Sequence, residues 1–244
     1  MAIDLHKYAN PRRFLKIISA IYPWSVAVTV ILLVAGLYLG LFVAPPDYQQ
    51  GETVRIMFVH VPAAWMALSI YTMMAVSSAV GLIWKHPVAD LSAKAAAPIG
   101  ASFTFLALVT GSLWGQPMWG TYWVWDARLT SMLVLLFLYL GYMAIWESFE
   151  DPNKAAKAAT ILILVGAINV PIIKFSVDWW NTLHQPASVA TLQGPKIHSS
   201  ILMPLLIMGS AYTSFFVMVW IIRVKAEILG RRLRILQMNA LRDK

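Results

Sequence analysis

Long uninterrupted hydrophobic runs dominate the pattern of this chain. Six of them are close to or above the roughly 20 apolar residues that a helix needs to cross a bilayer. The runs are continuous rather than alternating, which excludes the strands of a membrane β-barrel. The pattern therefore predicts an all-α, polytopic membrane protein in which residues 1–244 form a single six-helix bundle. The predicted spans are residues 24–44, 57–84, 95–114, 129–146, 158–175 and 201–222.

Composition agrees with a polytopic membrane protein and excludes several kinds of chemical site. The chain is 59% hydrophobic and only 12% charged, whereas soluble domains are about 45–50% apolar and about 25% charged. Cysteine is absent, so disulfides, thiolate nucleophiles and iron–sulfur clusters are excluded. The sequence contains no G-x-x-x-x-G-K-[ST] motif, so any ATP chemistry must belong to a partner chain.

The basic residues predict the orientation. Lys and Arg total 19 against 11 Asp and Glu, a formal net charge of +8. All but four of these cations lie in the amino terminus, the second and fourth loops and the carboxyl tail. Because cytoplasmic loops carry the excess of Lys and Arg, both termini are predicted in the cytoplasm. The net positive charge therefore reflects membrane topology and indicates no nucleic-acid partner. The basic tail could contact membrane lipid or a cytoplasmic protein.

Aromatic residues are concentrated in one outer loop, residues 115–128. Trp114, Trp119, Trp123 and Trp125 fall within twelve residues. Trp119 and Trp123 are four apart, so on a helical turn they would share a face. An aromatic belt at headgroup depth would also place tryptophan here. From the residues alone, belt or packing and a flat aromatic platform for a ligand remain equal alternatives.

A second aromatic group precedes the last span. Phe175, Trp179 and Leu183 have the i, i+4, i+8 spacing of a helix face that lies in the membrane interface. This group is explained adequately by the aromatic belt.

Histidine shifts the balance toward a ligand site. His60 lies 24 residues before Trp84, about 36 Å along a helix. The hydrocarbon core is only about 30 Å thick, so His60 should stand at its outer edge. His184 lies in the third outer loop, directly after the second aromatic group, whereas His198 is interpreted as a local residue at the start of the last span.

These residue types suit a planar macrocycle with a central iron and two carboxylates. Imidazole nitrogens serve as axial ligands of haem iron, and His60 and His184 are the candidates. Guanidinium groups can pair with the propionates, and Arg128 and Arg55 are available for that. Asp126 is at least equally well explained as the N-cap of the fourth span. The candidate ring walls are Trp119, Trp123 and Trp125.

The segment WGTYWVWDARLT at 119–130 resembles the tryptophan-rich "WWD" signature of haem-handling membrane proteins. Together with MFVHVP at 57–62, WWNTLHQ at 179–185 and six spans, it is most similar to the CcmC family, haem exporter protein C of bacterial cytochrome c maturation. The resemblance covers nearly the whole chain. Larger families that share the signature have more spans than this chain provides.

The resemblance implies a function. Proteins of this family bind haem b non-covalently at the periplasmic face of the bacterial cytoplasmic membrane. They deliver it to the haem chaperone CcmE, within an ABC-type complex with CcmA, CcmB and CcmD, and they are not enzymes. By position, His60 and His184 correspond to the axial ligands. The corresponding loop residues are Trp114, Trp119, Trp123, Trp125, Asp126 and Arg128.

Two other functions remain as alternatives. An integral b-type cytochrome in electron transfer would need ligand histidines deep inside the spans, and none is found there. A transmembrane transporter of haem or another solute would usually carry intramembrane ionisable groups, which are nearly lacking. The sequence leaves open whether haem reaches the site from inside or laterally from lipid.

Overall fold

Helices account for most of the chain in the computed structural model, which describes residues 10–180, 182–185, 188–189 and 194–242. Six helical segments of the described chain are long and apolar enough to cross a membrane, which confirms the predicted spans. They extend beyond the predicted bounds; the first begins at Pro11 rather than near residue 24. The α-helices are α1 (Pro11–Tyr38), α2 (Met57–Trp84), α3 (Pro87–Trp119), α4 (Ala127–Ser148), α5 (Pro152–Gly166), α6 (Asn169–Trp179) and α7 (Ser199–Arg242).

Local sequence signals set the helix ends. Asn10 and Asp151 cap α1 and α5 by accepting hydrogen bonds from backbone amides two residues later. Proline occupies the first helical position in α1, α3 and α5, where its missing N–H costs nothing. A π-helical turn, Leu39–Val43, extends α1, and a 3₁₀ turn, Glu52–Ile56, leads into α2.

The fifth predicted span is two helices. The sequence predicts one continuous helix over 158–175, but α5 ends at Gly166 and α6 begins at Asn169. Pro171 has no N–H to donate to Ala167 O, and in a regular helix its ring would clash with that carbonyl, so the ladder is interrupted here. Ala167 O accepts instead from Val170 N at 3.1 Å. The buried Asn169 amide donates to Ser131 O at 2.8 Å and ties the break to α4.

The core lies between α2, α3 and α4, where small residues let the helices approach closely. A buried tyrosine pair, Tyr71 and Tyr139, meets edge to face with ring centroids 5.2 Å apart. The Tyr139 hydroxyl donates to Ala67 O at 2.7 Å, and its ring lies directly against Gly100, where a Cβ would not fit. This packing fixes α4 against α2 and α3. The amino-terminal end of α2 and the carboxyl-terminal part of α3 contribute to the candidate site.

Candidate functional site

His60 lies in the first turn of α2 and packs against the carboxyl-terminal part of α3. Its Nδ1 is 3.0 Å from Ala107 O and 3.1 Å from Thr110 Oγ1. Gly111 provides the space for the ring, because a Cβ at that position would lie 2.9 Å from His60 Cε1. A backbone carbonyl and a glycine of α3 therefore fix the orientation of this imidazole.

His184 is held by a carboxylate. Its Nδ1 lies 2.9 Å from Asp126 Oδ2, and its ring meets Trp119 edge to face with centroids 4.9 Å apart. Burial lowers the pKa of His184, and the opposing effect of Asp126 does not cancel this. A lowered pKa leaves this imidazole neutral at neutral pH, as a metal ligand must be.

Asp126 has two roles at once. Its Oδ1 accepts a hydrogen bond from Leu129 N at 2.7 Å, which confirms the predicted N-cap of α4. Its other oxygen contacts His184, a pairing that the sequence analysis did not predict. The start of α4 and the orientation of His184 therefore depend on one buried carboxylate.

Both imidazoles are held in the same tautomer. Ala107 O and the Asp126 carboxylate can only accept, so Nδ1 of each ring carries the proton and Nε2 presents a lone pair. In the part of the chain that the structure describes, the hydrogen bonds of His60 and His184 side chains involve Nδ1 only. Trp114 and Trp119, five residues apart near the end of α3, contact His60 and His184 respectively, so both rings lie at the same end of the bundle. The arrangement presents two basic nitrogens to a ligand.

One tryptophan lies beside each imidazole. The Trp114 ring meets His60 edge to face at 5.6 Å, and its Nε1 donates to Gln50 Oε1 at 3.1 Å. Trp119 folds over Gly115, where a Cβ would lie 2.9 Å from Trp119 Cε3. These two predicted site residues do come together with the histidines.

Trp123 and Trp125 do not continue this arrangement as predicted. Trp119 is the last residue of α3, and Gly120 follows in the left-handed region at φ 75°, so Trp119 and Trp123 do not share a helix face. That expectation was wrong, and residues 115–119 are helical rather than loop. Trp123 meets Trp125 edge to face at 5.4 Å. Among the described atoms the buried Trp123 Nε1 has no hydrogen-bond partner, whereas Trp125 is 75% exposed.

The two predicted arginines have different surroundings. Arg128 Nε donates to Ser176 Oγ at 3.1 Å, which joins the first turn of α4 to α6. Arg55 pairs with Glu52 and donates to Leu41 O, both at 2.5 Å. Arg55 thereby ties the end of the first span to the start of the second. Pairing of either arginine with ligand carboxylates stays a prediction.

Two other sequence interpretations concern the same side. His198 Nδ1 lies 2.8 Å from Ser200 Oγ, so it has the local role at the start of α7 that the sequence indicated. Phe175 and Trp179 stack with centroids 5.5 Å apart. Leu183 lies beyond the end of α6 and does not extend their helix face.

Sequence reasoning missed the residues that position the histidines. Ala107, Thr110 and Gly111 orient His60, and Gln50 holds Trp114. Small residues are common in transmembrane helices for packing alone, so nothing in a single sequence separates Gly111 from the other glycines.

The fold and site together define a multi-pass helical membrane protein with paired histidines among tryptophans at one end of the bundle. The chain belongs to the Heme exporter protein C family, whose model matches residues 4–239. Heme exporter protein C of Bradyrhizobium diazoefficiens is 60% identical over 97% of this chain and 88% of its own length. The protein of the same name from Haemophilus influenzae is 47% identical over 92% of each chain. The Escherichia coli one is 55% identical over 74% of each.

Proposed function

We propose that this protein binds haem b as a transient, non-covalent cargo, with His60 and His184 as the axial ligands of its iron. One observation carries the proposal: an acceptor at Nδ1 fixes both rings so that each presents Nε2 as a basic lone pair. Oriented imidazoles of this kind are characteristic of metal ligation. Membership of the Heme exporter protein C family supports the choice of haem.

The surrounding residues fit haem better than a bare metal ion. Within the described ranges, no group of three or more His, Asp or Glu side chains could hold such an ion. Haem iron brings four ring nitrogens with it, so two axial imidazoles complete its coordination. Trp114 and Trp119 provide apolar surface beside the imidazoles.

The proposal extends to a place in cytochrome c maturation. We place the haem site at the periplasmic face of the bacterial cytoplasmic membrane, from which haem passes to the chaperone CcmE. ATP hydrolysis in this scheme belongs to another subunit of the CcmABCD assembly, because this chain has no phosphate-binding loop. Lacking cysteine, the chain cannot attach haem through a thioether. It presents haem and is not itself an enzyme.

Titration of the purified full-length protein with haemin tests the proposal. We expect saturable binding of one haem per chain and the six-coordinate, low-spin absorption spectrum of bis-histidine iron. Haemin also partitions into detergent and lipid, so empty nanodiscs provide the blank. A non-saturating signal, or a five-coordinate high-spin spectrum, would contradict the axial-ligand pair.

Asp126→Asn should separate the two roles of this residue. Asparagine is as good an N-cap as aspartate, so the thermal midpoint of the protein without haem should change little. The charge that orients His184 is lost, and loss of such a partner costs about 10–100-fold in metal affinity. We therefore expect the dissociation constant for haem, measured by equilibrium titration, to rise about 10–100-fold.

Asp151→Asn is the matched control. Asp151 caps α5 by accepting from Asn153 N at 2.9 Å and lies outside the candidate site. The same substitution there should leave haem affinity unchanged. Equal affinities in the two variants would mean that Asp126 does not position a ligand.

A further inference from the structure

The last helix is much longer than a membrane span. α7 runs without interruption over 44 residues, about 66 Å, whereas the hydrocarbon core is about 30 Å thick. Trp220 marks the predicted inner interface, and the helix continues from there to Arg242. The remaining part extends about 30 Å beyond Trp220 on the predicted cytoplasmic side.

Contacts with α3 fix the direction in which α7 leaves the bundle. Trp220 Nε1 donates to Ser92 O at 3.1 Å, and Arg223 Nε donates to Ala95 O at 3.0 Å. One turn further, Lys94 and Glu227 form an ion pair at 2.9 Å. These contacts anchor α7 to α3 at three points. The extension continues the same helix, so its direction is set by the anchored part.

This extension carries an apolar stripe that no described residue covers. Leu229, Leu233 and Leu236 are 55%, 56% and 65% exposed, and their spacing of four and three places them on one face. We call these three residues the leucine stripe. It is separate from the face that packs in the bundle, which presents Ile221, Val224 and Ile228 to the neighbouring helices.

The leucine stripe has basic edges. Arg232 and Arg234 each lie one residue from Leu233, about 100° to either side of it around the helix. Residues 228–242 contain four arginines and no acidic residue. A helix laid on the stripe would therefore bring its own flanking residues against guanidinium groups, which favours carboxylates at those positions.

We propose that the leucine stripe is a docking site for a cytoplasmic partner helix with a Leu- or Ile-rich face flanked by Asp and Glu. Leu233 lies about 20 Å beyond Trp220 along the axis of α7. With α7 tilted by 40°, this is still about 15 Å along the membrane normal. The headgroup layer is only about 7 Å deep, so membrane lipid does not cover the stripe. A second copy of this chain would oppose arginine to arginine, which disfavours self-association. The proposal is independent of haem binding.

A designed probe tests the chemistry of the site. The full-length protein in phosphatidylcholine nanodiscs is titrated with a labelled 28-residue helical peptide that has leucine at its heptad core positions and glutamate at the flanking ones. We expect saturable binding, weakened at least tenfold in the Leu233→Glu/Leu236→Glu variant. The Ile235→Glu/Met238→Glu control adds the same charge at comparably exposed positions outside the stripe and should change affinity less than twofold. Equal weakening in both variants would overturn the proposal.

Photo-crosslinking in native membranes identifies the occupant. A photoreactive residue is placed at position 233 or 236, and at 235 or 238 as controls. The proposal requires stripe-specific adducts whose cross-linked peptide has apolar positions at heptad spacing flanked by Asp or Glu. Adducts to phospholipid, to a second copy of this chain, or at all four positions alike would each overturn it.

Discussion

Replacing either His60 or His184 with alanine should abolish the low-spin, six-coordinate haem spectrum. The remaining imidazole would leave iron five-coordinate and high-spin, because the two rings are fixed by different elements and neither can supply both ligands. Loss of a partner that only orients a ligand costs about 10–100-fold in affinity. Loss of the ligand itself should cost at least about 100-fold, measured by haemin titration.

Added imidazole and a third histidine provide the controls. Free imidazole should restore the low-spin spectrum of either alanine variant, because a small ligand can enter the space that the side chain leaves. His198→Ala should behave as the unchanged protein, since His198 contacts Ser200 at the exposed start of α7. A low-spin spectrum that survives His184→Ala without added imidazole would show that another residue ligates the iron.

The number of spans was predictable because hydropathy alone determines it. Which of the prolines interrupts a helix was not predictable from the sequence. Pro62, Pro98 and Pro117 lie inside unbroken helices, whereas the fifth span breaks near Pro171. The difference depends on tertiary partners for the break: Asn169 donates to α4, and Gly166 lies directly against the Tyr71 hydroxyl. Neither partner is visible in the local pattern.

The candidate site was likewise predictable only in part. His60, His184 and the tryptophans were identifiable because their residue types are unusual near the end of a span. The pairing of His184 with Asp126 joins positions 58 residues apart, and that of His60 with Ala107 joins positions 47 apart. Such pairings follow from how whole helices pack. They carry no signal in spacing or composition.

Gly111→Ala should weaken haem binding although alanine is the better helix former. On propensity alone the substitution stabilises a helix by about 1 kcal/mol. The new Cβ would lie 2.9 Å from His60 Cε1 and 3.4 Å from His60 Nδ1, too close for the ring to keep its place, and Ala107 O holds Nδ1. Because a site requires its groups within about 0.5 Å of their productive positions, we expect haem affinity to fall about tenfold or more.

Gly141→Ala makes the same change where a neighbour can move. There the added Cβ would lie 3.3 Å from Leu162 Cδ2, the end of a flexible side chain, far along α4 from the histidines. Both variants gain the same helix propensity, so any difference in haem affinity between them comes from the contact with His60. If haemin titration gives both variants the affinity of the unchanged protein, the orientation of His60 against α3 does not govern binding, and the ligand role of His60 must be reassigned.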